Sequence, residues 1–139
     1  MLVLILTACA AVEGKVTPKA ASTVWDGVYT LDQAERGQDL VDQHCATCHG
    51  SNLRGSPGAP AIAGVEFLYG WDGRNLKELL DYMHAAMPPG QPGLLTDASY
   101  IDVMATMLRA SGFPPAEKAE LSPGGEGLEQ VKIKREKPG

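Results

Sequence analysis

Cys45-Ala46-Thr47-Cys48-His49 puts two thiols and an imidazole inside one five-residue segment. A C-x-x-C-H pentad is the attachment signal for c-type haem. Each thiol can add to one haem vinyl group as a thioether. The two-residue spacer lets both sulfurs reach one edge of the macrocycle, and the adjacent histidine can then place a ring nitrogen on the iron. Two other chemistries use similar residues. A structural zinc site needs four protein ligands, and the third cysteine, Cys9, is remote in an apolar leader. A thioredoxin-like dithiol needs a βαβ context, and no such pattern is visible.

A haem held by His49 leaves a sixth iron position to fill. Met87 stands in Met87-Pro88-Pro89-Gly90, where a helix must stop because proline cannot continue it. A side chain at such a rigid exit can be held against a metal. Met83, Met104 and Met107 fall on helical faces and read as soft core filling. His84 is three residues before Met87 and offers a bis-histidine alternative. His44 precedes Cys45 and reads as a surface residue.

Helices must position these groups. Thr30-Leu31-Asp32-Gln33 has capping-box form, and Ala34, Gly37, Val41 and Cys45 follow on one face. This helix delivers the chain to the pentad. Asn75-Leu76-Lys77-Glu78 opens a second helix with Leu76, Leu79, Leu80 and Met83 as its buried stripe. Thr96 and Asp97 open a third, lined by Ile101, Met104 and Leu108 with Val103 and Met107 beside them; Gly112 and Pro114 end it. Residues 50–73 are rich in glycine and proline and read as mostly loop. No hairpin alternation is visible, so the fold class is all-α.

Four segments follow: a signal-like leader (1–8), a tether (9–22), a globular domain (23–113) and a flexible C-terminal tail (114–139), rich in proline, glycine and mixed charge. A short charged helix over 129–137 is a further option for the tail. A domain of this size gains from a buried haem as an extra apolar body, and the haem-free chain is expected to fold poorly. The apolar run 2–6 is too short to span a bilayer, which takes roughly 20 residues. It reads as the end of a secretory signal lacking a basic front.

Charge bears on partners. The 139-residue chain carries −5, and residues 23–113 hold 11 acids against 5 bases, with Lys77 the only lysine among them. Such a surface excludes nucleic acid as a partner and favours a protein with a basic docking patch.

Helix, C-x-x-C-H, loop, helix, Met-Pro and closing helix together resemble the class I c-type cytochromes over residues 25–112. The resemblance implies a cytochrome c-like fold of three main helices and a long loop around one covalent haem c. It implies Cys45 and Cys48 as attachment points and His49 and Met87 as axial ligands. Gly37 and Val41 match positions where that family crosses its first and last helices. Thr106 departs from the aromatic often found opposite, which implies a different packing there. Pro60 resembles the proline whose carbonyl accepts from the proximal histidine. Trp71 resembles an aromatic near the haem propionates; ordinary partial burial is the other reading.

More narrowly, Trp25-Asp26-Gly27-Val28-Tyr29-Thr30, Gln33-Ala34-Glu35-Arg36-Gly37 and Phe113-Pro114 resemble the cytochrome domains that accompany quinoprotein dehydrogenases. Leu6-Thr7-Ala8-Cys9 resembles a bacterial lipobox, which implies acylation of Cys9; an ordinary signal would instead remove it. These resemblances imply an exported, single-haem electron carrier on the periplasmic side of a bacterial membrane. Its redox partner would be a quinoprotein dehydrogenase or a terminal oxidase, and it would not be an enzyme by itself. The rival expectations are a haem enzyme or gas sensor with a displaceable distal ligand, or a fixed relay subunit of a larger respiratory complex.

Overall fold

The computed structural model describes residues 23–139. The leader, the tether and Cys9 lie outside the described residues. Those described form five helices: α1 (Leu31–His44), α2 (Ala46–His49), α3 (Gly64–Trp71), α4 (Leu76–Ala86) and α5 (Asp97–Ala110). Only isolated β-bridges accompany them, so the described residues are all-α as the sequence implies.

The crossing of α1 and α5 organises the rest. Ala34, Gly37 and Val41 are buried on α1, on the face the spacing predicts. A Cβ on Gly37 would lie 1.9 Å from the Asp102 carbonyl oxygen and 2.4 Å from Thr106 Oγ1, so only glycine lets the two backbones approach this closely. Thr106 takes the place of an aromatic. It is buried, and its hydroxyl donates to the Ala34 carbonyl at 2.7 Å, joining the helices by a hydrogen bond.

The helix caps largely follow the sequence. Asn75 and Glu78 form a reciprocal capping box on α4, whose buried residues are Leu76, Leu79, Leu80 and Met83. Thr96 caps α5. Thr30 caps α1 by accepting from the Gln33 N–H. Gln33, however, does not reach back to close the expected box. Its amide turns inward and makes two hydrogen bonds to the Leu121 backbone, as donor and as acceptor, at 3.0 Å each.

Residues 50–73 are mostly loop, as expected, with α3 the one helix among them. Its N-cap, Ala63, makes no side-chain cap bond. The Gly64 N–H is instead met by Ser111 Oγ at 3.0 Å, a cap supplied from the far end of α5. One sequence expectation needs correction: residues 114–139 pack on the domain rather than forming a flexible tail. Leu121, Leu128, Val131 and Ile133 are all buried. Val131 and Ile133 exchange backbone hydrogen bonds with Gly73, Arg74 and Leu76, and the Lys132 carbonyl accepts from Val24. A 3₁₀ turn at Leu128–Gln130 followed by this extended run replaces the optional helix over 129–137. The run alternates apolar-in and polar-out, which is how an extended chain covers a core.

Candidate functional site

The pentad sits where α1 ends. Cys45 is the residue capping α1, its N–H bonded to the Val41 carbonyl, and the next four residues form α2. The close α1–α5 crossing therefore fixes the pentad against the core. Both cysteines are free thiols, Cys45 half-buried and Cys48 exposed. Burial, and then the neighbouring Cys48, push the Cys45 thiol up from its ordinary pKa.

His49 is buried, and its Nδ1 lies 2.7 Å from the Pro60 carbonyl oxygen. A carbonyl can only accept, so Nδ1 carries the proton and Nε2 keeps its lone pair for a metal. The loop that brings Pro60 back is held at several points. Ser56 Oγ donates to the Cys48 carbonyl at 2.6 Å, and the Gly55 N–H donates to the His49 carbonyl at 2.9 Å. Gly55 has φ +87°, and a Cβ there would lie 2.8 Å from the Ala61 nitrogen, so glycine is required at this turn.

These residues open on a cavity of about 420 Å³. Cys45, Cys48, His49 and Pro60 line one part of it, and Phe67, Trp71 and Tyr82 another. Met83, Met87, Leu95, Tyr100, Val103 and Met107 complete an apolar wall. Glu66 and Arg74 are the only acidic or Lys/Arg residues in the lining. Arg74 lies 4.1 Å over the Trp71 ring, which also stacks on Phe67 at 6.0 Å. Trp71 is thus half-buried, as one reading expected, and it also lines the cavity.

Met87 follows α4 in extended conformation, with its N–H bonded to the Met83 carbonyl. Met83 and Met107 are buried, as core residues should be, and yet face the same cavity; Met104 is buried elsewhere. His84 is absent from the lining. Its Nε2 is 2.6 Å from Asp97 Oδ1 and its ring packs on Tyr100 at 4.5 Å, so it is engaged away from the cavity. His44, expected on the surface, is half-buried at the cavity rim. Sequence reasoning missed Tyr100 as a lining residue. Its spacing to Val103 and Met107 was the available signal, since the three share one face of α5.

The donor set fits a covalent haem. Two thiols, the His49 imidazole with a fixed tautomer, the His44 ring at the rim and three methionines (Met83, Met87 and Met107) border a largely apolar slot with a single acid and a single arginine. No cluster of three or more His, Cys, Asp or Glu that could hold a metal ion occurs among the described residues, so a structural zinc set is not assembled.

Fold and site together define a monohaem class I c-type cytochrome domain. Residues 32–105 match the family described as cytochrome c oxidase, cbb3-type, subunit III, and the chain belongs to that family. It is 35% identical over 72 residues to the cbb3-type cytochrome c oxidase subunit CcoP of Azospirillum brasilense, covering 48% of this chain and 24% of that protein. It is 32% identical over 84 residues to the same subunit of Rubrivivax gelatinosus, covering 60% of this chain and 28% of that one. The chain thus spans about a quarter of the length of the curated relatives it matches. The sulfane dehydrogenase SoxCD from Paracoccus pantotrophus shares the fold, with TM-score 0.50 and 24% identity over 65% of this chain and 53% of that one. Membership brings covalently bound haem c and an electron-carrier role, not catalysis by the domain itself.

Proposed function

We propose that this protein relays single electrons through one haem attached to Cys45 and Cys48, with His49 and Met87 as axial ligands. Bound haem supplies an Fe(III)/Fe(II) couple. The chain's own residues do the rest. The Pro60 carbonyl orients His49 and raises its basicity. Met87 would supply the second iron ligand, and its thioether would raise the potential relative to a second histidine. The apolar wall would keep water from the metal, and Cys48 is exposed beside it. The observation that carries this reading is the 2.7 Å contact between His49 Nδ1 and Pro60, in a cavity that also holds Met87.

The protein works outside the cytoplasm, on the periplasmic side of a bacterial membrane, anchored through acylated Cys9. It serves as electron acceptor or subunit of a respiratory complex, either a dehydrogenase or a terminal oxidase. Charge supports a basic partner surface. Asp32, Glu35, Asp39 and Asp42 are exposed at helical spacing along α1, and the stripe runs toward His44 at the cavity rim. Association steered by such a stripe weakens with salt.

The absorption spectrum of the oxidised holoprotein tests the ligand set. A weak far-red charge-transfer band reports iron–methionine bonding, and carbon monoxide should bind poorly to the reduced form. Met87→Ala should abolish the band and admit carbon monoxide. Retention of the band in that variant would move ligation to Met83 or Met107, and ready binding by the unaltered protein would favour a sensor or enzyme. One mass of the mature protein from its membrane would report haem, signal cleavage and acylation together.

A further inference from the structure

We propose that Tyr100 is a positioning residue for Met87: its hydroxyl determines how firmly the methionine holds the sixth position. The inference rests on Met87 being the ligand. Met87 is held through its N–H by the last turn of α4, where the Met83 carbonyl accepts at 2.9 Å. Beyond it come Pro88 and Pro89, which have no N–H to donate. The Met87 carbonyl is the next group able to fix the segment, and the Tyr100 hydroxyl donates to it at 2.6 Å.

Tyr100 can act as an anchor because it is itself immobile. It is 2% exposed and lies on α5, the helix that crosses α1 and so fixes the pentad. Its outer side is closed by His84, whose ring lies 4.5 Å away and whose Nε2 is 2.6 Å from Asp97 Oδ1. Tyr100 therefore ties the methionine-bearing segment to the element that locates the histidine. Releasing Met87 from the metal strains or breaks this part-buried hydrogen bond, so the hydroxyl opposes ligand exchange.

The test uses the full-length holoprotein carrying Tyr100→Phe, which keeps the ring and removes only the hydroxyl. Imidazole is titrated into the oxidised form while the far-red band is followed. Loss of one such hydrogen bond corresponds to a rise in imidazole affinity of about five- to tenfold. The pH at which the band disappears on alkalinisation should fall by about 0.7 to 1 unit, the same factor expressed in pH. Thr106→Val provides the control, because it removes a buried hydrogen bond of α5 without touching Met87. An imidazole affinity within twofold of the unaltered protein overturns the proposal. So does an equal rise in Thr106→Val, which would mean general loosening of α5. A band that survives Met87→Ala sinks the ligand assignment itself. Loss of the band there, with Tyr100→Phe unchanged, sinks only the role of Tyr100.

Discussion

Gly37→Ala tests whether the α1–α5 crossing is set by backbone contact. An added methyl would lie 1.9 Å from the Asp102 carbonyl oxygen, whereas ordinary contact begins at 3.4 Å, so one helix must retreat by about 1.5 Å. Overpacking of this kind costs about 1–3 kcal/mol. The same retreat carries the Thr106 hydroxyl out of reach of the Ala34 carbonyl, now 2.7 Å away, at a further ~1 kcal/mol. Against this, alanine is a better helix former than glycine by about 1 kcal/mol. The net expectation is a loss of about 2–3 kcal/mol, because the obstruction is helix backbone that cannot rotate away. The assay is guanidinium unfolding of the haem-loaded variant followed by far-ultraviolet circular dichroism; covalent attachment keeps the cofactor in both states. Combining it with Thr106→Ala should recover only part of the loss, since the Asp102 contact remains. Stabilisation by about 1 kcal/mol, the propensity effect alone, would refute the reasoning.

Other outcomes follow from the packed C-terminal segment. Ile133 is fully buried, so Ile133→Ala should cost about 2–5 kcal/mol in the same unfolding assay. A cost under ~0.5 kcal/mol, typical of exposed sites, would mean that the segment is loose in solution. Glu120 tethers this segment through Arg36, with Thr30 second, and those hydrogen bonds hold its carboxyl below the ordinary value of 4.5. A depressed carboxylate contributes stability that is present above its unfolded pKa and lost as pH falls through the folded one. Stability should therefore decline on acidification below about pH 4.5, and Glu120→Gln should flatten that decline. The group is partly exposed, so the effect is small, and indistinguishable pH profiles for the two proteins would remove it.

Local sequence determined the pieces. The pentad, the Thr30, Asn75 and Thr96 caps and the buried stripe of α4 are legible because each is a short-range rule: spacing, hydrogen-bonding side chains and helical period. Gly37 was legible as a crossing point only through the resemblance to class I c-type cytochromes, and the missing side chain explains why it serves there. The elements that escaped depend on distant partners. α3 has no side-chain cap of its own and borrows Ser111 from 47 residues away. The C-terminal segment looked too rich in glycine and proline to order. Its order comes from four buried apolar residues and from Gln33, 88 residues earlier, which satisfies both backbone groups of Leu121.

The candidate site divides the same way. Covalent chemistry is written in five consecutive residues, because attachment geometry is local. Which other side chains face the slot was decided only by folding. Periodicity places Met83 and Met107 on buried faces, but a buried face can meet another helix or a cavity wall, and the sequence does not distinguish them. The packing of α4 and α5 around the slot does, bringing Met83, Met107 and Tyr100 to the same wall as Met87 and leaving His84 outside it. It also sets the Tyr100 hydroxyl on the Met87 carbonyl, a contact between residues on different elements that no local pattern encodes.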